Sequence, residues 1–341
     1  MIRLECDYAC GAHPVVLERL VATNGEATPG YGVDEHCKNA ADMVKKLCGR
    51  SDVDVHFLVG GTQTNTTVIS AALRPYQGVL SADTGHIAVH ETGAIEATGH
   101  KVLTIPGTDG KISARQIEDA LLGHQYDPTA EHTVQPGMVY ISNPTELGTI
   151  YSLEELTAIR EVTRRYGILL FVDGARLGSG LGAECNDITL PDLARLCDAF
   201  YIGGTKMGAL FGEALVLSDE GLKRDFRYMI KRHGGMLAKG RLLGVQFEAL
   251  LENGLYFEIG RHCVVLAMQL KRACEEKGYP MLVDSPTNQQ FPVLPNEVLK
   301  RLESVCTWSV QEKVDQDHTA IRFCTSWATT QEEIDAVIAA L

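Results

Sequence analysis

A carboxylate and an amine each follow a short apolar run in this chain, and their types would allow them to act together. Asp173 follows the run 168–172, and Lys206 comes shortly after the run 199–203. Short apolar runs that are closed by glycine are typical of buried strands. The two side chains would then lie together at the carboxyl edge of a sheet, where α/β folds bind ligands. The pair suits pyridoxal 5'-phosphate (PLP), because the amine can bind its aldehyde and the carboxylate can keep its pyridine nitrogen protonated.

The elements that would position this pair alternate between strand and helix. The predicted strands of the first part are 53–59, 78–81, 101–105, 137–142, 168–172, 199–203 and 214–217. The predicted helices of this part are 36–48, 63–73, 87–98, 114–122, 153–166 and 190–196. Strands joined by helical crossovers predict a mainly parallel sheet that is covered on both faces.

The pattern changes after two long helices, predicted at 237–251 and 256–277. Strands are then predicted at 281–283, 290–294, 307–311 and 320–324, followed by a helix at 331–341. A chain of 341 residues exceeds one ordinary core. We therefore predict an α/β PLP-binding large domain with an N-terminal arm over 1–253, and a small C-terminal α+β domain over 254–341.

A phosphate group needs its own site, and the turn around Gly61 and Thr62 offers one. These residues join a predicted strand to a helix, so that backbone amides can point at an anion near the positive end of the helix. A tight strand-to-helix connection explains the same residues equally well. Thr205, directly before Lys206, could supply a second contact to the phosphate.

Three further side chains suggest contacts with a cofactor or a substrate. His86 follows a predicted strand, and its imidazole could lie flat on a pyridine ring. Arg176 lies close to Asp173 in sequence, and Arg322 lies between apolar neighbours in a predicted strand, where arginine is costly. A guanidinium group binds a carboxylate through two hydrogen bonds. The alternatives are a solvated helix cap for His86, a structural ion pair for Arg176 and a solvent-facing edge residue for Arg322.

Composition excludes several classes of function. A net charge of −13 argues against a nucleic-acid-binding surface. The first residues lack the apolar core of a signal peptide, and no apolar run is long enough for a bilayer. The ten cysteines contain no Cys-x-x-Cys pair, so reduced cysteines in a cytoplasmic protein without a metal site are expected.

Taken in order, the short motifs of this chain resemble those of the threonine aldolases, in the β-eliminating lyase group of fold type I PLP enzymes. The matching segments are 4–7, 31–34, 61–65, 85–86, 143–148, 172–176 and 205–206. The resemblance covers nearly the whole chain. It implies an aspartate-aminotransferase-like fold and cleavage of L-threonine or L-allo-threonine to glycine and acetaldehyde.

The resemblance also implies roles for single residues. Lys206 would bind the cofactor covalently. Asp173 would hold its pyridine nitrogen, and His86 would stack on the face of its ring. Phosphate would contact Gly61 and Thr62. Substrate carboxylate would bind the two arginines, Arg176 and Arg322. A homodimer or homotetramer is implied as well, with Tyr31 reaching the active site of a neighbouring subunit and Lys231 and Arg232 adding positive charge there.

Two residues depart from the family pattern. Cys6 stands where the family commonly has a serine that meets the substrate, and Glu146 stands where it commonly has histidine. That histidine is a candidate base for the substrate hydroxyl, so the base here would be His86, Glu146 or a water that they hold. Glu146 could instead be structural. The alternatives for the whole protein are a PLP-dependent lyase for another amino acid, a nucleotide-binding module, or a catalytically silent scaffold.

Overall fold

A computed structural model describes all residues from 1 to 341. Its helices are α1 (Pro14–Ala22), α2 (Glu35–Leu47), α3 (Gly61–Ala72), α4 (His86–Val89), α5 (Ala114–Gln125), α6 (Leu153–Tyr166), α7 (Leu177–Gly182), α8 (Leu190–Leu196), α9 (Glu220–Lys223), α10 (Phe226–Arg232), α11 (Arg241–Leu251), α12 (Leu255–Glu276), α13 (Asn296–Leu302) and α14 (Gln331–Ala340). Its strands are β1 (Ile2–Arg3), β2 (Asp54–Leu58), β3 (Gln77–Ala82), β4 (Val102–Ile105), β5 (Gln135–Ser142), β6 (Leu169–Asp173), β7 (Ala199–Gly203), β8 (Glu213–Leu217), β9 (Gln289–Gln290), β10 (Val293–Pro295), β11 (Cys306–Thr307), β12 (Ser309–Lys313) and β13 (His318–Cys324). None of the helices is both long and apolar enough to cross a lipid bilayer.

A seven-stranded sheet forms the centre of the molecule, in the order β2-β8-β7-β6-β5-β3-β4. All neighbouring strands are parallel except β8, which runs antiparallel to both β2 and β7. Side chains of each strand alternate between two apolar cores. In β5, for example, Val139 and Ile141 belong to one core and Met138 and Tyr140 to the other. The predicted α/β fold with a mainly parallel, doubly covered sheet is confirmed.

The C-terminal part forms a smaller antiparallel sheet around β13, which pairs with β10, β12 and β9. Its core also contains Leu4, because β1 pairs in parallel with β11. Helix α12 contributes Ile259 to the core of the large sheet and Leu270 to that of the small one. The division after residue 253 stays a prediction, since α12 packs into both cores.

Some predicted elements are wrong in detail. The predicted helix 87–98 is instead the single turn α4 and a separate 3-10 turn, Glu96–Thr98. Thr92 and Gly93, which lie between these two turns, adopt positive φ angles of 53° and 72° and so interrupt the helix. The helix predicted from residue 237 begins only at Arg241, directly after Gly240, where an added Cβ would lie 2.5 Å from the backbone nitrogen of Gly32.

Proline and backbone pairing explain the errors in the small sheet. The predicted strand 290–294 is divided into β9 and β10 around Pro292, which has no N–H to donate. The predicted strand 281–283 is only an isolated bridge between Met281 and Pro292. The predicted strand 307–311 is divided at Trp308, with β11 pairing to β1 and β12 pairing to β13.

Several helices were not predicted, and α7 is the one closest to the site. Its sequence, Leu-Gly-Ser-Gly-Leu-Gly, has low helix propensity. The glycines allow close packing against α12, since a Cβ on Gly182 would lie 2.8 Å from the carbonyl carbon of Gly260. Tertiary packing therefore stabilises this helix directly after Arg176.

Candidate active site

Lys206 lies at the carboxyl edge of the central sheet, as predicted. The chain leaves β7 through Gly203 and Gly204, where a Cβ atom would lie 2.5 Å from the Ala175 oxygen and 2.8 Å from the Gly212 oxygen. The Lys206 side chain lines two adjoining cavities, of about 310 Å³ and 560 Å³. Burial lowers the pKa of Lys206, and the positive charge of Arg176 lowers it further. The amine is therefore more readily deprotonated, and more nucleophilic, than a lysine in water.

Asp173 ends β6 beside Lys206, and three donors fix its carboxylate. The Tyr140 hydroxyl donates to Oδ2 at 2.5 Å, and Asn65 Nδ2 donates to the same oxygen at 3.2 Å. The backbone N–H of Ala175 donates to Oδ1 at 2.9 Å. The carboxylate is almost fully buried, with 4% of its residue surface exposed. A buried, oriented carboxylate can stabilise a protonated ring nitrogen placed in the same cavity.

The smaller cavity ends at the N-terminus of α3. Gly60 precedes this helix without a side-chain cap, and Gly61 and Thr62 of the first turn line the cavity. The hydroxyl of Tyr201 is buried in the same wall and has no hydrogen-bond partner. Free amides at a helix N-terminus and an unpartnered hydroxyl form a site for an anionic group. A phosphate ester fits this end of the cavity.

His86 lines both cavities and is held at two atoms. Its backbone N–H donates to Glu146 Oε1 at 2.9 Å, and its Nδ1 lies 2.8 Å from Glu91 Oε1. Burial alone would lower the pKa of His86, but the hydrogen bond to Glu91 and the charge of Asp173 raise it above its usual value. The imidazole is thus fixed in position beside both Lys206 and Asp173.

Both predicted arginines line the larger cavity, but they differ in how fully the protein satisfies their hydrogen bonds. Arg176 donates Nε to Asp7 Oδ2 at 2.6 Å and Nη2 to Asp7 Oδ1 at 3.1 Å. Although burial opposes ionisation of Asp7, the charges of Arg176 and Lys206 lower its pKa to about 2. Arg322 has only long hydrogen bonds of 3.3–3.5 Å, and its Nε is buried without a partner. Arg322 therefore retains more capacity than Arg176 to bind an external carboxylate.

Glu146 lies in the wall of the larger cavity, on the loop after β5. Its Oε1 accepts from the Ser142 hydroxyl at 2.6 Å and from the His86 N–H at 2.9 Å. Burial raises the pKa of Glu146, and the charge of Asp173 adds to this increase. One oxygen is thus occupied by the protein, and the other remains for a ligand.

Of the other predicted residues, only Thr205 lines one of the two cavities. Thr205 lines the smaller cavity, and its hydroxyl donates to Glu213 Oε1 at 3.1 Å. Cys6 lies between two residues that contact the arginines but does not line either cavity. Tyr31 is exposed beside a separate pocket, with Lys231 Nζ 5.2 Å from its ring centre. Arg232, at the end of α10, is also exposed.

Sequence reasoning missed four residues of this site, namely Tyr8, Asn65, Tyr140 and Glu213. Tyr8 lines both cavities, and Glu213 lines the smaller one. Asn65 belongs to a motif that carries the family resemblance, which could have identified it. No local signal marks Tyr140 or Glu213 within their apolar strands.

Comparison with known proteins identifies the family of this chain. The family model for β-eliminating lyases matches residues 12–297. A low-specificity L-threonine aldolase of Pseudomonas sp. (strain NCIMB 10558) is 29% identical over 337 residues, covering 96% of this chain and 93% of its own. A threonine aldolase structure from Leishmania major is 44% identical with a TM-score of 0.97, covering 99% of this chain and 98% of its own.

A more distant structure reports on the fold alone. The aspartate aminotransferase of Thermus thermophilus has a TM-score of 0.71 at 14% identity, covering 100% of this chain and 90% of its own. The predicted aspartate-aminotransferase-like fold and the predicted resemblance to threonine aldolases are both confirmed. The chain therefore belongs to the β-eliminating lyase family.

Proposed function

We propose that this protein is a PLP-dependent aldolase that cleaves L-threonine and L-allo-threonine to glycine and acetaldehyde. One observation carries the proposal: the larger cavity, which contains Arg322 and Glu146, joins the cavity of Asp173 at Lys206. A carboxylate-binding group and a candidate base thus face a reactive amine. The named activities of the Pseudomonas and Leishmania relatives support the same reaction.

The smaller cavity has groups for each part of PLP. Lys206 would bind the aldehyde, Asp173 would hold the pyridine nitrogen, and His86 would lie against the ring. The α3 amides of Gly61 and Thr62 would bind the phosphate, which also accounts for the uncapped helix N-terminus. When bound, PLP supplies an electron sink for the charge that develops at the substrate Cα.

Substrate orientation would come from Arg322, with Arg176 as its partner. A two-point contact to the carboxylate fixes the amino acid so that one bond at Cα stands perpendicular to the ring. The ion pair with Asp7 holds Arg176 in place, while Arg322 offers the freer guanidinium. Cys6, between Glu5 and Asp7, lines neither cavity, so it would affect the substrate through these two neighbours.

Replacing Arg322 with lysine should raise the KM for L-threonine by about 10- to 100-fold, with a smaller change in kcat. Lysine keeps the charge but cannot form two parallel hydrogen bonds to a carboxylate. Steady-state kinetics of the variant measure the effect. The matched control is Arg261→Lys on the exposed side of α12, and an equal KM in both variants would argue against the role of Arg322.

Proton transfer from the substrate β-hydroxyl would be the task of Glu146. The free carboxylate oxygen can accept this proton directly or through a water, while Ser142 and His86 hold the other oxygen. His86 is less suited, because its pKa is raised and its Nδ1 is already paired with Glu91. Loss of this proton would let the Cα–Cβ bond break and the aldehyde leave, and Cα would then take up a proton to give glycine. Lys206, which lines both cavities, would be placed to hold the cofactor again once glycine has left.

The protein would act as a homodimer or homotetramer with shared active sites. The smaller cavity is lined by no lysine or arginine other than Lys206, although phosphate is a dianion. Tyr31, Lys231 and Arg232 are exposed on the surface of one subunit, where they are available to a neighbour. This supports a contribution of positive charge from Lys231 and Arg232 to the neighbouring site.

Aldehyde release tests the function. Purified protein with added PLP is expected to form acetaldehyde and glycine in equal amounts from L-threonine, L-allo-threonine or both, and not from the D isomers. Coupled reduction of the aldehyde measures the rate. If PLP binds but none of the four isomers is cleaved, the rival function, a PLP-dependent lyase for another amino acid, replaces this one.

A further inference from the structure

The anion end of the smaller cavity contains an acidic residue, Glu213, that the proposed reaction does not use. Its carboxyl group lines the cavity together with Gly61, Thr62 and Lys206. Only 4% of the residue surface is exposed. A negative charge here would lie beside the phosphate of PLP, which the proposed function places at the same end. Such a placement would weaken phosphate binding through like-charge repulsion.

The hydrogen bonds of Glu213 also compete with the phosphate for Thr205. The Thr205 hydroxyl donates to Glu213 Oε1 at 3.1 Å and accepts from the Gly212 N–H at 3.0 Å. The backbone N–H of Gly204 donates to Glu213 Oε2 at 3.2 Å. A hydroxyl has one proton to donate. While Thr205 donates to an ionised Glu213, it has no proton for the phosphate.

Protonation of Glu213 would reverse this arrangement. The carboxylic acid could donate its proton to Thr205 Oγ1, and the Thr205 hydroxyl could then turn and donate to phosphate. The Gly212 N–H would donate to Thr205 Oγ1 in both arrangements, so no backbone hydrogen bond is lost. Phosphate would gain one donor and lose a negative neighbour at the same time.

The surroundings of Glu213 favour the neutral acid. The titratable groups around it are Lys206 after β7, Asp173 of β6, Tyr201 of β7 and Tyr256 of α12. Burial raises the pKa of Glu213 to about 8 and the charge of Asp173 adds to the increase, while Lys206 opposes it. Lys206 ceases to be a free ammonium when it binds the cofactor aldehyde, so this opposing charge is weakened in the loaded enzyme.

We propose that Glu213 and Thr205 form a proton-dependent phosphate contact, in which neutral Glu213 frees the Thr205 hydroxyl for PLP. This inference rests on the proposed function only for the position of the phosphate. Above about pH 8, Glu213 of the cofactor-free protein is ionised and Thr205 donates to it, so that binding of PLP with the Thr205 contact then requires uptake of a proton. The affinity for PLP should therefore fall as pH rises, and the fall should depend on the phosphate group.

Equilibrium dialysis of the full chain against pyridoxine 5'-phosphate and against pyridoxine tests this dependence, because these molecules have the ring of PLP without its aldehyde and differ only in the phosphate. The ratio of the two affinities removes pH effects that arise at the ring or at Lys206. In the wild-type protein this ratio should fall by about tenfold between pH about 7 and about 9.5. A ratio that stays constant over this range would overturn the proposal without any variant being needed.

Glu213→Gln is the matched variant, because glutamine is neutral at every pH and can still donate to Thr205. Its affinity ratio should stay within about twofold over the same range. Thr205→Val should lower the ratio at neutral pH, where the hydroxyl contact is lost. A fall in Glu213→Gln as steep as in the wild type would assign the pH dependence to another group. Aldolase activity does not enter these measurements, so protein that shows the phosphate-dependent fall but cleaves no threonine would refute only the aldolase.

Discussion

Replacing Lys206 with alanine lowers aldehyde release from L-threonine by on the order of 10⁴-fold or more. The reason is that, in the proposed function, the side chain would be both the covalent anchor of the cofactor and the group that displaces the product. The visible absorption band of PLP bound to the lysine should disappear in the same variant. Activity and absorption spectra of the purified variant, measured at saturating PLP, test both expectations.

Two controls separate this effect from loss of the fold. Lys300→Ala, on the exposed end of α13, should keep full activity. Thermal unfolding of Lys206→Ala should show a cooperative transition near that of wild-type protein without cofactor. A folded variant that retains more than about a tenth of the wild-type rate would contradict the role of Lys206.

Replacing Glu146 with glutamine should lower kcat by about 10²- to 10⁴-fold, because the amide cannot accept the hydroxyl proton. The pH profile gives a second result. A base must be ionised to act, and burial raises the pKa of Glu146. The wild-type rate should therefore fall as pH drops through this raised pKa, and the remaining activity of Glu146→Gln should lack this acid limb.

Ser142→Ala is the matched control for the pH profile. The hydrogen bond from the Ser142 hydroxyl lowers the pKa of Glu146 against the effect of burial. Its removal should move the acid limb towards higher pH and leave the rate at high pH almost unchanged. An unaltered acid limb in Glu146→Gln would point to His86, whose pKa is also raised, as the base.

Local sequence patterns were sufficient to predict the strands that carry Asp173 and Lys206. Both strands are short, buried apolar runs followed by glycine, and in a parallel sheet the carboxyl ends of neighbouring strands meet at one edge. This geometry needs no knowledge of distant contacts. The position of Lys206 beside Asp173 was therefore predictable from the sequence.

Glu213 was not predictable in the same way. It is the first residue of β8, and in a parallel strand the first residue would lie at the opposite edge of the sheet. Because β8 is antiparallel to β7, Glu213 pairs with Gly203 at the ligand-binding edge instead. Strand direction depends on the connection after Lys206, for which the sequence contains no clear signal.

The incorrect helix 87–98 has a tertiary cause as well. Glu91 is drawn inwards, where it accepts from Asn65 Nδ2 at 2.7 Å and lies beside His86 Nδ1. We infer that a regular helix through residues 87–98 would not place the Glu91 carboxylate within reach of Asn65 and His86. The buried hydrogen bonds therefore favour a loop over the helical pattern of the sequence.

The short segment after β1 connects the two arginines of the larger cavity. Glu5 accepts from Arg322 through its backbone oxygen, and Asp7 accepts from Arg176 through its carboxylate. Leu4, directly before them, is anchored in the small core. The segment from Glu5 to Asp7 thus sets the spacing between the guanidinium groups of Arg322 and Arg176. Any shift of the small sheet against the large one would change that spacing. If both arginines bind the substrate carboxylate as proposed, its affinity would depend on the relative position of the two sheets.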